Sequence, residues 1–111
     1  MTAVAKRLDV ITQKTGVKER EVAQLLSTTP QTIYRWRSGQ VEPQTNHLRR
    51  ILDLAFAAEE LGELYAPDEA RLWLFERNKL LDLKRPVDLI AEGHIDAVLQ
   101  VISQLKDGAY G

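Results

Sequence analysis

The 111-residue sequence contains no cysteine, and this absence excludes several classes of protein. Without thiols there is no disulfide framework, no cysteine nucleophile and no cysteine-based metal site. No run of residues approaches the roughly 18 to 20 apolar positions that a membrane-spanning helix needs. The opening stretch MTAVAKRLDV also lacks the apolar core of a signal peptide. We therefore expect a cytoplasmic protein, not associated with a membrane, whose fold depends on side-chain packing alone.

Sequence signatures of catalysis are also missing. There is no glycine-rich phosphate loop, no G-x-S-x-G motif and no evident Ser/His/Asp arrangement. His47 and His94 lie far apart in the sequence, and neither has an i, i+4 partner for a metal ion. Glu59, Glu60 and Glu63 form an acidic patch that we interpret as a solvated helix face. These absences predict a protein that is not an enzyme and has no metal or other cofactor.

The charges that are present divide unevenly along the chain. Residues 1–50 carry nine Lys and Arg against four Asp and Glu, a net charge of +5. Residues 51–111 carry six Lys and Arg against twelve Asp and Glu, a net charge of −6. A basic half can face phosphates, which would repel an acidic half. The overall charge of −1 therefore favours two surfaces with two functions, although short halves can also differ by chance.

Apolar periodicity, proline and glycine predict an all-α fold of short helices around one long helix. The long helix, 45–64, has apolar residues on most of its circumference and is expected to pack on two sides. Leu72, Trp73, Leu74 and Phe75 are expected to bury the end of a helix that Pro67 opens. The other predicted boundaries are an end at Gly16, a helix over 18–26, a start at Thr29 with an end at Gly39, a helix from Pro86 to Gly93, and a last helix from Ile95 to Gly108.

The amino-terminal half contains the pattern of a helix-turn-helix. Val22, Ala23 and Leu26 can meet Ile33 and Trp36 where two helices cross, because Ala23 is small and the last two share a face. The opposite face of the second helix then carries side chains that can contact base edges and phosphates. The candidate DNA-binding residues are Thr29, Gln31, Thr32, Tyr34, Arg35 and Arg37. The alternative is an amphipathic helix whose arginines only keep it soluble.

Two resemblances add to this interpretation. Arg35-Trp36-Arg37-Ser38-Gly39, followed by Pro43, resembles the Xre/Cro-like helix-turn-helix group, which would make residues 1–45 a DNA-binding module. Residues 46–111 resemble the toxin-binding domain of the Xre/MbcA/ParS antitoxins, which would also provide dimerisation. The matching features are Trp73-Leu74-Phe75, Asn78 with Leu80-Leu81, Pro86-Val87-Asp88-Leu89, Gly93 and Gly108-Ala109-Tyr110.

The resemblance implies a type II antitoxin that inhibits a RES-domain toxin, a class that destroys NAD, and that represses its own operon by binding operator DNA. It also implies that the carboxyl-terminal segment approaches the toxin's active site. The candidate toxin-binding residues are Lys106, Asp107, Gly108, Ala109, Tyr110 and Gly111. The chain departs from the family at Asp82-Leu83-Lys84-Arg85, where a glycine-containing turn is common, so a different backbone is expected in that loop.

Residue chemistry alone leaves alternatives open. Trp73, Phe75 and Leu81 suit a core better than an interface, whereas Tyr110 is either an aromatic anchor for a partner or part of a frayed tail. The chain could instead be a stand-alone dimeric repressor, or an interaction adaptor that does not bind DNA. A homodimer is expected because one module of this size buries little DNA surface.

Overall fold

The computed structural model describes residues 2–110, with side chains described from Thr2 to Gly108. These residues form seven α-helices and one short 3-10 helix, and they contain no β-strand, which confirms the all-α prediction. An isolated bridge between Asn78 and Lys84 is the only strand-like pairing among them. The helices are α1 Ala3–Thr15, α2 Glu19–Leu25, α3 Pro30–Ser38, α4 Thr45–Leu64, α5 Pro67–Phe75, α6 Pro86–Ala91 and α7 Ile95–Tyr110, with the 3-10 helix at Lys79–Leu81.

Several helix ends carry the signals that the sequence predicts. The backbone of Gly16 (φ 66°) is left-handed at the end of α1, and Gly39 (φ 82°) has the same conformation at the end of α3. A side chain at Gly16 would also be crowded, because its Cβ would lie 3.3 Å from the carbonyl oxygen of Pro67. Glycine at this position therefore lets the end of α1 approach the start of α5 closely.

One continuous hydrophobic core joins the two halves of the chain. Helix α4 packs most extensively on α1, and it also contacts α5 and α7. The core includes Ile11 and Ile33 from the amino-terminal segment and Leu74 and Ile102 from the carboxyl-terminal segment. The boundary expected near residue 45 therefore does not divide the core.

Two packing expectations need correction. Leu72 is 58% exposed, and Trp73 and Phe75 are only partly buried, so α5 buries a narrower face than expected. Ala70 and Leu74 are buried because they are four residues apart on one face, and Leu72 projects from the opposite side. The long helix α4 likewise leaves part of its apolar surface uncovered, since Leu52 and Phe56 are exposed.

The last helix is longer than the sequence predicts. Helix α7 continues through Gly108 to Tyr110 instead of ending at Gly108. A single glycine retains its N–H group and costs a helix only about 1 kcal/mol, so it does not by itself end the hydrogen-bonded ladder. No helix within the described residues is both long and apolar enough to cross a membrane.

Candidate functional site

Helix α3 is presented to solvent on one face and anchored on the other. Thr29 caps its start, because its Oγ1 accepts a hydrogen bond from the backbone N–H of Thr32 at 3.1 Å. Pro30 occupies the first turn, where a missing N–H costs nothing. Ile33 is fully buried and Trp36 is 4% exposed, which confirms that these two residues face inward.

Most candidate DNA-binding residues lie together on the outer part of α3. Gln31 and Arg35 are exposed, Tyr34 is 63% exposed, and Thr32 is partly exposed. Arg35 forms no ion pair with any side chain that the structure describes. Its guanidinium therefore remains available for a base edge or a phosphate.

Arg37 differs from Arg35 because acidic side chains within the chain hold it. Its Nη1 lies 2.5 Å from Oδ1 of Asp9 on α1, and its Nη2 lies 2.8 Å from Oε1 of Glu19 on α2. Partial burial would lower the pKa of Arg37, but the hydrogen bonds to Asp9 and Glu19 offset this effect and raise it. Arg37 thus connects α3 to both preceding helices. The sequence pattern assigned Arg37 to DNA binding and did not predict this structural role.

The turn between α2 and α3 brings the two helices into contact. Ala23 and Leu26 are each 1% exposed, and the N–H of Thr28 donates to the carbonyl of Ala23 at 2.8 Å. Ser27 has a left-handed backbone (φ 55°), which is uncommon for a residue other than glycine. The small side chain expected at the crossing of α2 and α3 is therefore present and buried.

Arg50 on α4 fixes this turn to the carboxyl-terminal half, a contact that sequence patterns did not indicate. Its Nη2 donates to the carbonyls of Ile90 at 2.9 Å, Leu25 at 3.3 Å and Ala91 at 3.3 Å. Its Nη1 donates to Oγ of Ser27 at 3.2 Å. The guanidinium thus satisfies carbonyls at the ends of α2 and α6, where helices lack internal partners and carry partial negative charge.

A second contact between the halves joins α2 to α5. Both carboxylate oxygens of Glu21 accept hydrogen bonds from Arg71, at 2.6 and 2.9 Å, and the guanidinium lies 4.5 Å from the ring centroid of Phe75. Hydrogen bonding to Arg71 is the main reason that the pKa of Glu21 falls to about 2. Sequence patterns did not predict this pair, because Glu21 and Arg71 are 50 residues apart and only their opposite charges hint at a contact.

Lys106, the first residue of the predicted toxin-binding segment, forms ion pairs within the chain. Lys106 forms ion pairs with Glu60 and, at 2.7 Å, with Glu63, and these pairs tie the end of α7 to α4. Hydrogen bonds to Glu60 and Glu63 raise the pKa of Lys106. Asp107 and Gly108 are exposed on the last turns of α7. Gly111 and the side chains of Ala109 and Tyr110 lie outside the described part of the chain.

An exposed apolar turn follows α5. Leu80 is 60% exposed and Leu83 is 57% exposed. The backbones of Asp82 (φ 56°) and Leu83 (φ 64°) are left-handed, so the turn keeps a conformation suited to glycine without containing one. Asn78 stabilises it, because its Oδ1 accepts from the N–H of Leu80 and its carbonyl accepts from the N–H of Leu83, both at 2.9 Å.

Three acidic side chains of the carboxyl-terminal half form ion pairs: Asp88 with Arg85, and Glu60 and Glu63 with Lys106. Arg85 binds Asp88 through two hydrogen bonds of 2.9 and 2.8 Å, and the bond from Arg85 lowers the pKa of Asp88. Within the described residues, no group of three or more His, Asp or Glu side chains could hold a metal ion. The exposed surfaces offer charged groups, hydrogen-bonding groups and apolar side chains.

Sequence comparison finds relatives that match most of the chain. The mycobacterial cidal antitoxin MbcA of Mycobacterium tuberculosis is 33% identical over 98 residues, which cover 88% of this chain and 87% of the relative. The probable mycobacterial cidal antitoxin Rv3188 of the same species is 31% identical over 96 residues, covering 86% of this chain and 81% of the relative. No protein-family model matches the sequence.

The structural comparison covers almost the whole chain. A chain in the crystal structure of the M. tuberculosis MbcT–MbcA toxin–antitoxin complex superposes with a TM-score of 0.83 and 30% identity, over 97% of both chains. Identity above 30% across nearly nine-tenths of the sequence, together with the same helical architecture, establishes common descent. The chain belongs to the MbcA family of antitoxins.

Proposed function

We propose that this chain is an antitoxin that binds and inhibits a cognate toxin, and that the toxin is of the RES-domain, NAD-degrading type. The observation that carries the proposal is the match to named antitoxins over 88% of the chain. Similarity over 97% of the chain to a component of a toxin–antitoxin complex adds support. In this role the chain acts by binding alone and uses no cofactor.

Two exposed features support a toxin-binding surface in residues 46–111. Leu80 and Leu83 project from a turn held in an unfavourable backbone conformation, and strained segments often coincide with functional sites. Lys106, whose ion pairs tie α7 to α4, is followed by the exposed residues Asp107 and Gly108. We therefore propose that residues 107–111 contact the toxin, while Lys106 positions them.

Truncation after Lys106 tests the toxin-binding segment. Removing residues 107–111 leaves the Lys106 ion pairs in place, so the fold and its melting temperature should change little. Co-expression with the toxin should then give cell death and loss of NAD, which the full chain prevents.

Tyr110→Ala alone should weaken neutralisation, since aromatic anchors can contribute about 2 kcal/mol or more. Tyr34→Ala, at an exposed tyrosine on α3, is the matched control and should still neutralise.

Full rescue by the truncated chain would contradict the role of this segment and leave inhibition to the turn that carries Leu80 and Leu83. A chain that binds operator DNA but neutralises no toxin would be a stand-alone repressor. A chain that does neither would fit the adaptor alternative.

We also propose that α3 is the recognition helix of a helix-turn-helix, which binds operator DNA and represses the antitoxin's own operon. The support is Arg35, which has no ion-pair partner among the described side chains and lies beside Gln31 and Tyr34 on an exposed helix face. This face belongs to the half that carries a net charge of +5. A homodimer would double the DNA surface that each complex buries.

Alanine substitutions at the two arginines of α3 test the DNA proposal. Arg35→Ala should lower operator affinity by about 1–3 kcal/mol with no change in melting temperature. Arg37→Ala should instead lower the melting temperature, because Asp9 and Glu19 lose their shared partner. Lys84→Ala, an exposed cation in the acidic half, is the control and should change neither. Unchanged affinity of Arg35→Ala at two salt concentrations would mean that α3 does not read DNA.

A further inference from the structure

Helix α4 carries a narrow exposed stripe that the core does not use. Arg49, Leu52, Phe56, Glu59 and Glu63 are all exposed and follow one another at intervals of three, four, three and four residues. This spacing places them on one line along the helix, as in the a and d positions of a coiled coil. Leu52 is 41% exposed and Phe56 is 52% exposed, so the centre of the line is apolar.

The two ends of the stripe carry opposite charges. A cation, Arg49, lies at its amino-terminal end, two apolar residues follow, and anions lie at its carboxyl-terminal end. Among the described side chains, Arg49 and Glu59 have no ion-pair partner, whereas Glu63 is already bound to Lys106 at 2.7 Å. The free charges of the stripe are thus one cation and one anion at opposite ends.

The α4 of a second copy can pair with these charges if it runs antiparallel, but not if it runs parallel. If the two helices are related by a two-fold axis near residue 54, Leu52 meets the partner's Phe56. The same register places Arg49 beside the partner's Glu59, twice by symmetry. A parallel pairing would instead place Arg49 beside Arg49 and Glu59 beside Glu59, and like charges repel.

A groove beside Phe56 gives this pairing room for apolar side chains. It lies between α4 and α7, has a volume of about 230 Å³, and is lined in part by Leu99 and Ile102. Leu99 is only partly buried, so the apolar surface continues from α4 onto α7. An aliphatic side chain from a facing helix can enter such a groove and leave the water-exposed surface.

From this complementarity we propose that the stripe Arg49–Leu52–Phe56–Glu59 of α4 is the homodimer interface, formed by antiparallel pairing with a second copy of the chain. This inference deepens the homodimer of the proposed function by assigning its surface. It does not depend on the identity of the toxin or of the operator.

Charge reversal on the full chain tests both the surface and the register. The variant Arg49→Glu places Glu beside the partner's Glu59, and Glu59→Arg places Arg beside the partner's Arg49. Each variant alone should dimerise at least tenfold more weakly than the unmodified chain in sedimentation equilibrium. An equimolar mixture of the two should recover the dimer, because both interchain pairs are then of opposite charge. Circular dichroism verifies that each variant is folded.

Replacing the apolar residues of the stripe by serine is a second test of the interface. Leu52→Ser combined with Phe56→Ser should give a folded monomer. Leu72→Ser is the matched control, since it removes a leucine of similar exposure from α5 and should leave the dimer unchanged. A monomeric unmodified chain would overturn the proposal, and so would a dimer that these variants do not affect. Failure of the charge-reversed mixture to dimerise would overturn the antiparallel register.

Toxin neutralisation, measured on the same variants, separates this inference from the antitoxin function. Variants that become monomeric and still neutralise the toxin support the proposed interface. If Leu52→Ser with Phe56→Ser abolishes toxin binding without changing the mass of the free chain, the stripe is a toxin contact and the homodimer assignment is wrong. Loss of neutralisation by the unmodified chain would contradict the proposed function instead.

Discussion

The amino-terminal and carboxyl-terminal halves expose different chemistry. Among the side chains that the structure describes, seven large hydrophobic ones are exposed: Tyr34 and Val41 belong to residues 1–45, whereas Leu52, Phe56, Leu72, Leu80 and Leu83 lie beyond. The first half has an excess of cations and the second an excess of anions. A polar, cationic surface suits phosphate, and an apolar surface among acids suits another protein. This difference supports the proposal that the amino-terminal half binds DNA and the carboxyl-terminal half binds a toxin.

These two surfaces nevertheless rest on one framework. Arg50 binds carbonyls of both halves, and Glu21 of α2 binds Arg71 of α5. Gly16 allows the start of α5 to lie directly against the end of α1. The halves therefore expose different surfaces but are stabilised by contacts with each other. Substitutions at those contacts test whether the two halves fold as one unit.

The largest effect is expected from a charge inside the α2–α3 crossing. Ala23→Glu would bury an unpaired carboxylate at a position that is 1% exposed, which should cost more than about 3 kcal/mol and unfold the amino-terminal segment. Because the core is continuous, the whole chain should lose helical circular dichroism. Gln24→Glu introduces the same charge one residue away on the exposed side and should remain folded. A folded Ala23→Glu variant would mean that α2 and α3 do not meet there.

Removing Arg50 should weaken the connection between the halves. Arg50→Ala leaves the carbonyls of Leu25, Ile90 and Ala91 without this donor and should lower the free energy of unfolding by about 2–3 kcal/mol. Arg20→Ala, at an exposed arginine of α2, should change it by less than about 0.5 kcal/mol. Urea denaturation of the two variants gives the comparison. Equal midpoints would mean that Arg50 contributes nothing to the contact.

The Glu21–Arg71 contact should make stability depend on pH. The pKa of Glu21 is about 2 in the fold against an ordinary value of 4.5, so its contribution is complete above pH 4.5 and is lost as pH falls toward 2. Allowing for solvent screening, we expect about 1–2 kcal/mol. Glu21→Gln should thus be less stable than the unmodified chain at pH 6, with a smaller difference at pH 3. Glu42→Gln is the exposed control, and similar behaviour of both variants would contradict the assignment.

The smallest effect is expected in the turn after α5. Leu83→Gly removes the cost of a left-handed leucine, about 1–2 kcal/mol, but adds unfolded-state entropy. The net change in unfolding free energy should therefore be within about 1 kcal/mol and in the stabilising direction. Toxin neutralisation should decrease, because an exposed leucine is lost. Leu83→Ala keeps the strain and should neutralise as weakly without being stabilised. Unchanged neutralisation by both would remove Leu83 from the proposed surface.

The sequence by itself determined most helix boundaries and the inward face of α3, although it missed the end of α7 and the 3-10 helix. Proline, glycine and threonine act on their immediate neighbours, so Thr29, Pro30 and Gly39 marked the bounds of α3 without any tertiary information. Ile33 and Trp36 could be assigned to the core because three-residue spacing places both on one face of a helix. The all-α architecture follows from the same local rules.

Tertiary structure alone decided which charged side chains are free to bind a partner. Arg35 and Arg37 are two residues apart and look alike in the sequence, yet Arg37 is held by Asp9 and Glu19, which lie 28 and 18 residues away in the chain. Lys106 is likewise committed to Glu60, and Arg50 to carbonyls at the ends of two other helices. Such contacts join residues distant in sequence, so no local pattern predicts them. They form only when packing brings the helices together.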